Sequence, residues 1–248
     1  MIISIITLFP EVFTYLDFSI IQRARNKGIA EINLVNPRDF TGDKHRTVDD
    51  MPYGGGRGMV LKPEPIYKAI NHVKQDERGE SFVILTSPQG ILFDQSIARE
   101  LSLKKHLVFL CGHYEGFDER ISNAADMEIS IGDYVLTGGE LPTQVIIDAV
   151  VRLIPGVIEQ ESAEKDSFSN SLLDYPHYTR PQEFEGTKVP DVLLSGHHAK
   201  IEEWRKKEAI KRTLVRRPDL LEKAHLTEEE KKILEEVLIE EMRIMEDG

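Results

Sequence analysis

Apolar and polar positions fall into short alternating blocks up to Pro155. Ile2–Thr7, Ile32–Val35, Phe82–Thr86, His106–Cys111 and Met127–Ile131 are apolar runs of strand length, as expected for strands buried on both faces. Helical spacing separates them. Glu11–Lys27 places Phe13, Leu16, Ile20 and Ala24 on one side, with Gly28 as a stop signal. Further helices are predicted over Pro63–Gln75, Gln95–Leu103 and Glu140–Leu153. Strands spaced by helices predict an α/β fold with an open, mostly parallel sheet covered on both faces.

The pattern breaks after Pro155. Gly156–Asn170 is polar, carries Glu159, Glu161, Glu164, Lys165 and Asp166, and reads as a linker or mobile loop. Helical signals dominate beyond it. His198–Arg217 is basic, Pro218 interrupts it, and Thr227 with Glu230 forms a capping box for a final helix. That helix carries Leu234, Val237, Leu238, Met242 and Met245 at helical spacing, a stripe expected to pack into a small bundle. The expected organisation is an α/β domain over 1–157, a flexible linker over 158–173 and a small all-helical domain over 174–248.

Composition narrows the function classes. No apolar run approaches membrane length, and Ile2–Ile6 lacks the basic start of a signal peptide, so a cytoplasmic protein with no membrane partner is expected. The single cysteine, Cys111, excludes an internal disulfide and a Cys-x-x-Cys knuckle, and its apolar neighbours mark it as a core thiol. A net charge of −12 argues against a nucleic-acid partner, but the charge is segregated. Seven bases face one acid between Arg205 and Arg217, while eleven acids face four bases from Asp219 onward. A local basic site therefore survives the acidic total.

Four loops at predicted strand ends carry the candidate chemistry. They are Pro52–Gly58, Ser87–Gly90, Gly112–Arg120 and Ile131–Pro142, three of them rich in glycine. Glycine lets backbone amides approach a flat ligand, and open α/β sheets bind ligands beyond the carboxyl ends of their strands. The dinucleotide and P-loop fingerprints are absent, and no metal-ligand spacing appears, so no metal site is assigned. The pair His197-His198 reads as a surface pair.

Several segments together resemble the bacterial tRNA (guanine-N1-)-methyltransferase family, within the SPOUT methyltransferases. They are Pro37–Phe40, His45–Gly58, Ser87–Gly90, Cys111–Arg120, Ser130–Pro142 and Pro176–Pro181, in order over nearly the whole chain. The resemblance implies a deep trefoil knot in the sheet, a homodimer with active sites shared between subunits, and S-adenosyl-L-methionine as methyl donor. It makes residues 1–157 the cofactor-binding catalytic domain, gives the linker the catalytic Asp, and makes 174–248 the tRNA-binding domain. The implied substrate is tRNA with guanosines at positions 36 and 37, methylated on N1 of guanosine 37, next to the anticodon on its 3′ side. Alternatives are a SPOUT enzyme acting on a ribose 2′-oxygen or an rRNA base, and a non-catalytic RNA-binding protein.

By the same similarity the cofactor falls to Ser87, Pro88, Gly112, Tyr114, Glu115, Ile131, Gly132, Asp133, Tyr134, Val135, Leu136, Gly138, Gly139 and Pro142. Guanine N1 carries a proton at neutral pH, so a base must remove it while charge spreading to O6 is stabilised. Asp166 matches the family's catalytic aspartate, Arg152 is the expected partner of O6, and Glu115 matches an acid near cofactor and target base. An ion pair with Asp148 and a helix cap are the structural alternatives for Arg152 and Glu115. A Mg²⁺ requirement is not readable from the sequence. For RNA contact the candidates are Lys44, His45, Arg46, Ser167, Arg205, Arg212 and Arg216, the last three within a sector of roughly 40° on one helix.

Overall fold

The computed structural model describes residues 1–75, 80–159, 166–168 and 170–246. The loose loop expected over Gly156–Asn170 has its centre, 160–165, and residue 169 outside the described residues, as does the side chain of Met245. The chain divides into two units, Met1–Gln160 and Glu161–Gly248.

The first unit is built on a five-stranded sheet. β1 (Ile2–Ile6), β2 (Glu31–Val35), β5 (Ser81–Leu92), β6 (His106–Cys111) and β7 (Met127–Ser130) lie in the order β2-β1-β6-β5-β7, all pairings parallel. The short strands β3 (Asp49–Asp50) and β4 (Val60–Leu61) form a separate antiparallel pair. Strand side chains alternate between faces, so each central strand feeds two cores. Ile84, Leu107 and Phe109 face α1 (Ser19–Asn26), α3 (Gln95–Ser102) and α4 (Glu140–Val151), meeting Ala24, Leu101, Ile147 and Val151. Val83, Leu85, Val108 and Leu110 face α2 (Pro63–Lys74), meeting Ile66, Ala69 and Ile70. Each such side chain larger than alanine contributes about 1.5–3 kcal/mol by leaving water.

Two elements differ from expectation. The N-terminal helix is two pieces, a 3-10 helix over Pro10–Asp17 and then α1, broken where Phe18 is extended and Ser19 takes φ +55°. Phe13 and Leu16 stand three apart and both reach the core from the 3-10 turn, a spacing that this tighter helix aligns. The Arg25 guanidinium spans the break, donating to Leu16 O and pairing with Asp17. The second difference is β5, which runs on through Ser87–Gly90 with a register shift between Thr86 and Ile91. Gly90 permits this, since a Cβ there would lie 2.4 Å from the Ile129 nitrogen.

Among the described residues of the second unit the regular elements are helices and, against the all-helical expectation, one hairpin of β8 (Glu183–Phe184) and β9 (Thr187–Lys188). Two short helices, α5 (Asp191–Leu194) and α7 (Pro218–Leu221), flank α6 (His198–Arg216), and α8 (Glu228–Glu246) packs against α6. The predicted capping box forms: Glu230 N donates to Thr227 Oγ1, and Thr227 N to the Glu230 carboxylate. The apolar stripe of α8 is only partly buried. Val237 is sealed against α6, where Ile210 is also sealed, while Leu238 and Met242 stay exposed because they project one step further round the helix. Three ion pairs link the helices, Lys206–Glu229, Lys207–Glu240 and Lys211–Glu241. Three of the seven bases of the basic run thus pair with the acidic one at the helix surface, which narrows the basic surface expected from the sequence.

Candidate active site

The carboxyl ends of β5, β6 and β7 open into a cavity of about 490 Å³. Ser87–Gln89, Gly112–Phe117 and the loop from Ile131 to Pro142 line it. Of the cofactor residues taken from the resemblance, all but Asp133 are in this lining. Gln89, His113, Phe117, Glu119 and Thr137, all inside the predicted loops, also line it, as does Ser122 of the 3-10 helix that follows Asp118.

Bare glycine backbones shape the wall. A Cβ on Gly139 would sit 2.7 Å from Gly112 N, and Gly139 N donates to Gly112 O at 2.8 Å, so the two loops touch through their main chains. Gly132 has φ +149° and faces the Tyr134 ring, whose hydroxyl donates to Ile131 O at 3.2 Å. Tyr134, Val135 and Leu136 nevertheless keep apolar surface exposed, Val135 almost entirely. An apolar wall beside backbone that carries no side chains suits a flat heterocycle.

Glu115 is held at the rim. Its nitrogen donates to Met59 O at 3.1 Å, and its carboxylate lies where a Cβ on Gly58 would collide. The cap of the following 3-10 helix (Glu119–Ala124) is Asp118, which accepts from Arg120 N, so the capping alternative for Glu115 does not hold. The Arg120 guanidinium also donates to both Asp118 oxygens and holds that carboxyl below its usual range, against the upward push of partial burial. Cys111 is buried under the cavity floor, and burial pushes its thiol far above the ordinary range.

A family model described as tRNA (Guanine-1)-methyltransferase TrmD matches residues 1–223. The chain belongs to the tRNA (guanine-1)-methyltransferase family. A relative named tRNA (guanine-N(1)-)-methyltransferase from Dictyoglomus turgidum is 58% identical over 237 residues, covering 95% of this chain and 96% of its own length. Relatives of the same name from Brevibacillus brevis and Thermotoga maritima are 58% and 55% identical, each spanning at least 95% of both chains.

None of the remaining candidates is among the residues that line the cavity. Arg152 caps the C-terminal end of α4, whose N-terminal end carries Gly139 and Pro142. At 1.5 Å per residue those ends are about 18 Å apart. Asp148, its alternative ion partner, accepts from Tyr15 Oη at 3.1 Å. Asp166 and Ser167 belong to the second unit, where Ser167 Oγ accepts from Asp174 N at 3.0 Å. Arg205 donates to Glu202 and lies over the Tyr175 ring, and Arg212 donates to Asp174 O, while Arg216 is exposed. Lys44 and His45 are exposed, and Arg46 pairs with Asp39. Among the described residues no group of three or more His, Cys, Asp or Glu side chains assembles into a metal site. None of the described helices is long and apolar enough to cross a membrane.

Proposed function

We propose that this protein transfers a methyl group from S-adenosyl-L-methionine to N1 of guanosine 37 in tRNA, with guanosine 36 as its 5′ neighbour. The observation that carries the reading is the glycine-walled cavity at the strand ends, in a chain belonging to this family. The fit to the donor rests on the wall itself: Gly112, Gly138 and Gly139 leave backbone groups accessible, and Leu136 and Pro142 supply apolar faces for adenine. When bound, the donor supplies an electrophilic methyl on a sulfonium.

The protein's own residues handle the proton. Asp166 accepts it from N1 and so frees the lone pair, a role supported by its match to the family's catalytic aspartate. A positioned base contributes roughly 10²–10⁴-fold. Arg152 balances the charge that builds on O6, and Glu115, pinned at the rim by Gly58 and Met59, orients the donor edge of the base or helps hold Mg²⁺. The helical unit holds the tRNA, with Arg216 and the Lys44–Arg46 loop as phosphate contacts that position without reading sequence. The knotted threading belongs to the same reading and rests on the resemblance alone.

A second copy completes the site. Val12, Tyr15 and Phe18 repeat every three residues along the 3-10 edge and are all exposed; Leu141 and Val145 are exposed on α4, on the face where Tyr15 reaches Asp148. This apolar surface suits a homodimer interface. The test is incubation with labelled adenosylmethionine and an unmodified tRNA transcript carrying both guanosines, then digestion and mass analysis. N1-methylguanosine at position 37 is the expected product; a 2′-O-methyl ribose would overturn the assignment.

A further inference from the structure

Glu140 is a carboxylate 6% exposed at the first position of α4. No lysine, arginine or histidine pairs with it among the described residues. A buried charge without a cation is costly, and an apolar residue would serve the core better. What compensates it here is local. Thr7 Oγ1 donates to Glu140 Oε1 at 2.9 Å, and Glu140 stands at the positive end of α4.

From this anchor a closed chain of contacts runs through the cavity wall. Glu140 Oε2 lies 2.4 Å from where a Cβ on Gly138 would be, so the carboxylate fills the space a side chain would need. His113 Nδ1 is 2.8 Å from that same point, shielded from solvent and with no hydrogen-bond partner among the described residues. His113 also forms an isolated bridge with Gly138, and its ring packs on Phe9 at 4.8 Å. Phe9 N donates to Thr7 Oγ1 at 3.0 Å, which returns to the start. Thr7, at the end of β1 and 1% exposed, is thus the only hydroxyl in this loop of contacts, and it is both donor to Glu140 and acceptor from Phe9.

We propose that Glu140 is a positioning residue for the methyl donor: anchored by Thr7 and facing His113 across Gly138, it fixes the Gly138–Gly139 backbone in the shape that receives the ligand. It touches neither reacting atom and acts through the glycines. The inference rests on the cavity being the adenosylmethionine site.

The experiment is calorimetric titration of the intact protein with adenosylmethionine, beside tRNA affinity and thermal unfolding. The variants are Thr7→Val, near-isosteric but without the hydroxyl, Thr7→Ser, which restores it, and Glu140→Gln, which removes the charge. Thr7→Val removes both hydrogen bonds of the hydroxyl and Glu140→Gln removes the charge from one of them, and each should weaken cofactor binding roughly tenfold. Thr7→Ser should stay within about twofold of wild type, tRNA affinity should be unchanged, and the valine protein should keep a cooperative transition. Wild-type cofactor affinity in a folded Thr7→Val protein, or equal losses for cofactor and tRNA, would overturn the proposal. Should Thr7→Val fail to fold, the Thr7→Ser and Glu140→Gln pair decides, an unchanged cofactor affinity in folded Glu140→Gln counting against it. No binding of adenosylmethionine by wild type would overturn the functional reading instead.

Discussion

A single proton divides the candidate residues by what each can do. N1-methylation needs the ring hydrogen gone before the nitrogen can attack, whereas methylation of a sugar oxygen makes no such demand on Asp166. Replacing Asp166 with Asn keeps shape and removes basicity. Turnover should then fall by roughly 10²–10⁴-fold while adenosylmethionine affinity holds, as read by single-turnover assay and calorimetry. Asp118 offers a contrast, since its charge serves the fold. The Arg120 guanidinium lowers its pKa relative to the unfolded chain, so its contribution is complete above about pH 4 and is lost as pH falls through the folded value. Asp118→Ala should cost about 1 kcal/mol in urea unfolding at neutral pH, and the gap to wild type should narrow in acid. A gap that widened on acidification would assign the effect to another group.

Periodicity made the elements legible where one rule decided the outcome. β1, β6, α2 and α3 fall within a residue of their predicted ends because apolar runs, Pro63 and the Asp94 cap all point the same way. It failed where two readings fit one pattern: Phe13 and Leu16 suit a 3-10 turn as well as an α-helix, and Ser87–Gly90 reads as a loop although the strand carries through it. The cavity could be outlined because its glycines cluster at strand ends, and His113 and Glu140 fall inside those loops, but what they do there was not legible. Their roles depend on contacts to Phe9 and Thr7, more than a hundred positions earlier in the chain. The charge blocks were legible as blocks but not as partners, since only the packing of α6 on α8 sets lysines opposite glutamates. In the Lys211–Glu241 pair the glutamate holds the lysine's proton more tightly, and side-chain exposures of 36% and 18% leave the pair partly screened. A double-mutant cycle should give a coupling below about 1 kcal/mol that shrinks in high salt. A coupling that salt leaves unchanged would mean packing, rather than charge, joins the helices there.

At the scale of the whole molecule the decisive fact is a length. α4 carries a cavity wall at one end and Arg152 at the other, about 18 Å apart, and an arginine side chain does not span that distance. If Arg152 neutralises O6, it does so at the cavity of another copy. The exposed Leu141 and Val145 on this helix, with Tyr15 beside them, are where such a copy would seat. In a twofold dimer each surface meets itself, so each arginine would serve the opposite cavity. This can be tested by mixing two dead proteins. Arg152→Ala retains a sound cavity; Gly139→Ala retains the arginine but drives a Cβ to within 2.7 Å of Gly112 N. With sharing between subunits, a hybrid dimer has one intact site, and random reassortment should restore about a quarter of wild-type activity. With each site built from a single chain, every site in the mixture carries a lesion and the activity stays at zero. Size measurement establishes dimers, and co-purification of an untagged variant with a tagged one after mixing establishes exchange, so a silent mixture of exchanging dimers would mean that Arg152 acts elsewhere.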